Sequence, residues 1–139
     1  MNLEALEVGQ EVGSRIFSFT RDSLVKYAGA SGDFNPIHYR DDFAKSVGLD
    51  GVLAHGMLTM GRAIQVVTNW VGDPTAVIDY SVRMTRPVVV PDTAEGSVVN
   101  FTGKVAQIND DGTVQVELGA VFGDVKVLGL AKATVRLAQ

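Results

Sequence analysis

Between His55 and Val71 the chain carries Met57, Leu58, Met60, Ala63, Ile64, Val66, Val67, Trp70 and Val71. On a helix these apolar residues cover most of the circumference. A helix that is apolar nearly all round belongs inside a core. Gly72-Asp73-Pro74 stops it. Beyond that stop the hydrophobic period shortens to that of a strand. Ile78, Tyr80, Val82 and Met84 alternate with Asp79, Ser81, Arg83 and Thr85, and Val114, Val116, Leu118, Ala120 and Phe122 share one face of Thr113–Phe122. Val98–Ile108 and Val125–Leu137 read as two further long strands. Asn109-Asp110-Asp111-Gly112 and Gly123-Asp124 are turn signals. Strands joined by short turns pair antiparallel, and the apolar face of such a sheet must be covered. The one long apolar element available to cover it is the helix. The pattern predicts an α+β fold, a curved antiparallel sheet wrapped around one long buried central helix.

The first part of the chain is shorter in its periods. Arg15–Phe19 reads as a short strand. Thr20 is placed to cap a helix over Ser23–Ala30, which Gly29 and Gly32 end. Ser31–Tyr39 is a turn-rich loop, and Asp41–Val47 is a second short helix stopped at Gly48. No repeat, low-complexity tract or linker interrupts the 139 residues, so residues 1–139 are expected to form one domain.

Charge and composition exclude several classes. The net charge is −4 and the Lys and Arg residues are scattered, which leaves no footprint for nucleic acid. A few local cations would still suffice for an anionic small substrate. There are no cysteines, so disulfides, a thiol nucleophile and thiolate metal sites are all absent. Met1–Gln10 is acidic and has no apolar run, unlike a signal peptide. No apolar stretch reaches the roughly 18 residues expected of a membrane span. The expected setting is the cytoplasm, without a membrane partner.

The chain has two histidines, His38 and His55. Asp33, Asn35 and His38 lie in the turn-rich loop. One reading is a polar turn, since Asp and Asn bond to nearby backbone and Pro36 holds Asn35 extended. The other is that the loop presents a carboxylate and an imidazole to one cavity, where both can reach a single water. Such a pair suits the addition or removal of water, one group taking a proton and the other giving one. His55-Gly56 opens the apolar helix. One reading of Gly56 is a space-making residue at the helix entry. Alternatively, its N–H, free of any intrahelical partner and at the positive end of the helix dipole, polarises a carbonyl. A donor of that kind is worth about 10²- to 10³-fold in rate.

Other chemistries find less support. The Asp/His pair lacks a third metal ligand at suitable spacing, so neither metal nor cofactor is expected. The glycines match neither a dinucleotide nor a Walker loop, and no Gly-x-Ser-x-Gly elbow is present.

The segment Tyr27-Ala28-Gly29-Ala30-Ser31-Gly32-Asp33-Phe34-Asn35-Pro36-Ile37-His38, with Ala44 downstream, resembles the signature of the MaoC-like, hydratase-2 family. Ala54-His55-Gly56-Met57 resembles that family's second block. The details of Ala54–Gly61 and Trp70–Pro74 are most similar to the catalytic β subunit of the mycobacterial-type (3R)-hydroxyacyl-ACP dehydratases. The resemblance extends over nearly the whole chain. It implies a hot dog fold and reversible syn hydration of a trans-2-enoyl thioester, carried by acyl carrier protein or coenzyme A, in the setting of type II fatty-acid elongation. It further implies that Asp33 and His38 are the catalytic dyad and that the Gly56 N–H holds the thioester carbonyl. Ser31, Asn35 and His55 are then supporting residues, and Met57, Met60 and Ile64 line the acyl pocket. Some short-chain relatives carry a serine where this chain has Ile64. The resemblance also implies a dimer, with a second copy or with another hot dog subunit.

Two alternatives remain. A hot dog thioesterase normally needs a carboxylate on the central helix, and Met57–Val71 contains none. A non-catalytic acyl-binding subunit has no need of both Asp33 and His38.

Overall fold

A computed structural model describes residues 5–137. Strand β1 (Glu11–Phe19) leads into helix α1 (Arg21–Ser31) and short helix α2 (Asp41–Ser46), then into α3 (Gly56–Val71). The remainder is strand: β2 (Val77–Met84), β3 (Ser97–Ile108), β4 (Thr113–Phe122), β5 (Val125–Lys126) and β6 (Leu128–Arg136). All pairings are antiparallel, in the order β1-β3-β4-β6-β2, with β5 paired to β4. The acidic stretch Met1–Gln10 lies partly outside the described residues. No described helix is long and apolar enough to cross a membrane.

The sheet wraps α3, as the periodicity and the hot dog resemblance both predict. Ala63, Val66 and Val67 of α3 meet Val99, Phe101 and Val105 of β3, Val114 and Val116 of β4 and Val135 of β6 in one core. Burying each such Val fully contributes about 1.5–3 kcal/mol. Along β3 burial alternates residue by residue, the signature of a sheet with one covered face. Thr20 caps α1 through a reciprocal pair of bonds with Ser23, and Gly32 ends it in the left-handed conformation at φ 76°.

Three features differ from the sequence reading. Strand β1 starts at Glu11 rather than Arg15. The expected last strand, Val125–Leu137, is broken at Val127: β5 and β6 pair with β4 in different registers, and Leu130, inside β6, takes a positive φ of 48°. Most importantly, the strands after α3 are not all joined by short turns: β2 and β3 are far apart in the sheet. Strand β2 pairs with β6 at one sheet edge, and residues 85–96 cross to β3 beside β1. This crossover supports the candidate site. Ala54 N–H donates to Val88 O at 2.9 Å and Val90 N–H donates to Val52 O at 2.7 Å, so residues 52–54 and 88–90 form a small ribbon leading into α3.

Candidate active site

The loop after α1 is built from successive side-chain-to-backbone bonds. Asp33 N–H donates to Ser31 Oγ, Asn35 N–H to Asp33 Oδ1 and Ile37 N–H to Asn35 Oδ1, each at 3.2 Å. Pro36 then opens a single 3-10 turn over Pro36–His38, and His38 N–H donates to Asn35 O at 3.0 Å. Ser31 and Asn35 therefore shape the loop from within, as the resemblance implies. The polar-turn reading and the functional reading are both satisfied here, because the turn chemistry aims the candidate groups.

Asp33 Oδ1 is occupied by the Asn35 N–H, and Oδ2 lies 3.7 Å from His38 Nε2. The His38 ring is buried, with Nδ1 2.8 Å from the carbonyl of Leu53. A carbonyl can only accept, so Nδ1 carries the hydrogen. In the neutral ring Nε2 is then the lone-pair nitrogen beside Asp33. Leu53 is itself held by its N–H bond to Ile37 O at 3.0 Å.

His55 is 1% exposed. Its Nε2–H donates to the backbone carbonyl of Asp33 at 3.1 Å, and its ring stacks on His38 with centroids 3.8 Å apart. Tyr27 meets its other side edge-on at 4.8 Å. Burial pushes the proton affinity of His55 below that of an ordinary histidine, and the neighbouring His38 adds to the effect. The fold thus brings a third possible metal ligand to Asp33 and His38, with ligand atoms within 4.8 Å of one another. The hydrogen bonding does not suit a metal. His38 Nδ1 and His55 Nε2 are committed to carbonyls, and His55 Nδ1 is sealed from solvent. A three-ligand set would require His55 to release Asp33.

Gly56 is the first residue of α3, and His55 makes no side-chain cap. The first intrahelical bond to His55 O comes from Thr59 N–H, leaving the N–H groups before it without helical partners. A Cβ on Gly56 would stand 3.4 Å from the Met84 thioether. Gly56, His38 and Met84 border one cavity of about 360 Å³, walled by Leu53, Val88, Val127 and Leu128, with Thr59 on its helical side and Arg86 on its lining.

The structure therefore brings Asp33, His38, Asn35, His55 and Gly56 together. Met57, Met60 and Ile64 are not on the wall of this cavity. Met57 is 61% exposed, the Met60 carbonyl accepts from Tyr80 Oη at 2.8 Å, and Ile64 packs against the core. Residues without a sequence signal also serve the site. Arg21 bonds both oxygens of Asp41 at 2.9 Å and the carbonyl of Val90 at 2.8 Å, while Asp41 Oδ1 accepts the Val52 N–H. This clamp ties α1 and α2 to the ribbon, and the Arg21 bond holds the Asp41 carboxyl below its ordinary range.

A sheet wrapped on one helix, whose N-terminus shares a cavity with His38 while Asp33 stands 3.7 Å from that ring, defines a hot dog domain with an Asp–His pair near the helix start. The chain belongs to the family described as MaoC like domain, which matches residues 5–121. It is 38% identical over 79 residues to 3-hydroxyacyl-thioester dehydratase X of Mycobacterium tuberculosis, covering 57% of this chain and 27% of that protein. It is 30% identical over 105 residues to an (R)-specific enoyl-CoA hydratase of Rhodospirillum rubrum, covering 75% of this chain and 72% of the relative. Among solved structures, a MaoC-like dehydratase superposes with TM-score 0.92 at 39% identity, over 98% of this chain and 42% of the other. The chain thus spans about a quarter of the mycobacterial relative and less than half of that solved chain. The ChsH1-ChsH2 complex of M. tuberculosis shares the fold, with TM-score 0.82 at 21% identity over 95% of this chain and 98% of the other.

Proposed function

We propose that the chain is an (R)-specific enoyl-thioester hydratase that also runs as a (3R)-3-hydroxyacyl-thioester dehydratase. The observation that carries this reading is the His38 lone-pair nitrogen, fixed by the Leu53 carbonyl, beside the Asp33 carboxylate. The relatives' names support the substrate class and the R configuration. In the hydration direction the Asp33 carboxylate takes a proton from water as its oxygen bonds to C3. His38, protonated at Nε2, gives that proton to C2. Both groups lie on one side of the substrate, so addition is syn. The Gly56 N–H carries the charge that develops on the thioester oxygen. Asp33 and His38 then exchange one proton to reset. Dehydration runs the same steps backward, with His38 removing the α-proton and Asp33 protonating the departing hydroxyl.

Residues 5–137 share one sheet and one core, which supports a single domain over 1–139. The cytoplasm is the proposed setting and type II fatty-acid elongation the proposed context. The free β2 edge, with Ile78 and Met84 exposed, supports pairing with a second hot dog unit, either another copy or a relative.

Loss of enoyl absorbance on crotonyl-CoA tests the activity. Asp33→Asn and His38→Ala are each expected to lower kcat by about 10²- to 10⁴-fold without changing the circular dichroism spectrum. Wild-type rates in both variants would remove the dyad from the mechanism.

A further inference from the structure

A second cavity, of about 530 Å³, lies between β1, α1 and α3. Its wall carries two cations, Arg62 and Lys26, and one carboxylate, Asp22. The Arg62 guanidinium lies over the Phe17 ring at 3.9 Å. One of its amino groups donates to Gln65 Oε1 at 3.4 Å, while its Nε is buried and has no partner. The ion pairs among the described residues include neither Arg62 nor Lys26, although Asp22 shares their wall. Burial weakens the hold of Arg62 on its proton, and nearby Arg15 weakens it further. A partly desolvated guanidinium with no counter-ion is costly unless an anion joins it.

The cavity is two rings away from the dyad. Tyr27 lines it and touches His55, which stacks on His38. Gly56 and Arg62 stand on the same helix, about 9 Å apart along its axis at ~1.5 Å per residue. That separation is shorter than an extended pantetheine arm. The first cavity, with its wall of Leu53, Val88, Val127 and Leu128, is left for the acyl chain.

Building on the thioester reading, we propose that Arg62 and Lys26 bind the phosphate of the 4′-phosphopantetheine arm that presents the acyl group. That phosphate is common to coenzyme A and acyl carrier protein. The terminal amino groups of Arg62 and the Lys26 ammonium make charge-assisted bonds to its oxygens.

The test compares crotonyl-CoA, crotonyl carrier protein and crotonyl-N-acetylcysteamine, which has no phosphate. In Arg62→Met the kcat/KM ratio of each phosphate-bearing substrate to the phosphate-free one should fall about 10-fold or more, with the change in KM. Arg62→Lys should recover part of it, and Lys26→Met should show a smaller fall. An equal loss on all three substrates, or no loss on any, overturns the proposal. A loss confined to crotonyl-CoA also overturns it, because it assigns the site to the nucleotide's phosphates. Calorimetric titration of wild type and Arg62→Met with free 4′-phosphopantetheine separates this proposal from the hydratase reading. Weaker binding by the variant supports the site even if the wild type hydrates no thioester. Equal binding by the two proteins rejects the site even if the wild type is an efficient hydratase.

Discussion

His55 shows how much one buried side chain can do for its neighbours. Its N–H holds the backbone of Asp33, and its ring face supports His38. Phenylalanine keeps a stacking ring and loses the bond to Asp33. His55→Phe is therefore expected to lower kcat about 2- to 10-fold, the worth of one ordinary hydrogen bond, in the hydration assay. Because burial depresses its proton affinity, His55 also links stability to pH. The unfolded chain takes up the proton as pH falls through about 6.5, whereas the folded chain resists it. The stability contribution of the neutral ring is complete above that pH and declines below it, by up to about 1.4 kcal/mol per pH unit. Urea unfolding at pH 7 and pH 5 should show a smaller loss in His55→Phe than in wild type. Parallel losses would remove His55 from the pH response. Asp33, Asn35, His38 and Gly56 could be found in the sequence because the turn residues that aim them are local. The Leu53 carbonyl that sets the His38 tautomer could not, because any residue supplies a backbone carbonyl. The Arg21–Asp41 clamp was equally silent, since it joins elements that meet only in the fold.

At the scale of elements, α3 both fills the core and begins at the cavity that His38 lines. Its N-terminal N–H groups are left free by the absence of a cap, at the cost of some helix stability. Proline tests Gly56 directly. The first helical position accepts proline, and His55, at φ −60° and ψ 128°, already has the extended backbone that proline requires before it. Gly56→Pro is expected to lower kcat about 10²- to 10³-fold, with helix content retained. Gly56→Ala keeps the N–H and crowds only the flexible end of Met84, so it should retain most of the rate. Equal losses in the two variants would show that space, rather than the N–H, is what Gly56 supplies. The apolar helix and the period-two strands were legible because burial imposes those periods. Strand order was not. The β2–β6 pairing joins Val77 to Val135, and no local pattern encodes a partner that distant. The register shift on β4 between Lys126 and Lys132, with Leu130 at a positive φ inside it, is likewise a consequence of pairing.

At the scale of the whole molecule, the sheet among the described residues has two edges, β1 and β2. Both expose apolar residues: Ile16 on β1 is 72% exposed and Ile78 on β2 is 50% exposed. They differ in what lies beside them. Strand β2 ends at Met84, which borders the cavity next to Gly56, whereas β1 runs past the cavity of Arg62 on the far side of the sheet order. A second hot dog unit docked on β2 would cover Met84 and close the cavity wall beside Gly56. The same unit docked on β1 would leave that wall open. A lysine placed on an edge strand resists pairing at little cost to the fold. Ile78→Lys is expected to lower the mass measured by sedimentation to that of one chain and to raise KM for crotonyl-CoA. Ile16→Lys should leave the assembled mass as it is in wild type. If Ile16→Lys dissociates the assembly instead, the partner sits on β1 and the cavity wall at Met84 is complete without it. If the wild-type chain sediments as a single copy, the same measurement repeated with a candidate hot dog partner decides whether the β2 edge is reserved for a different subunit.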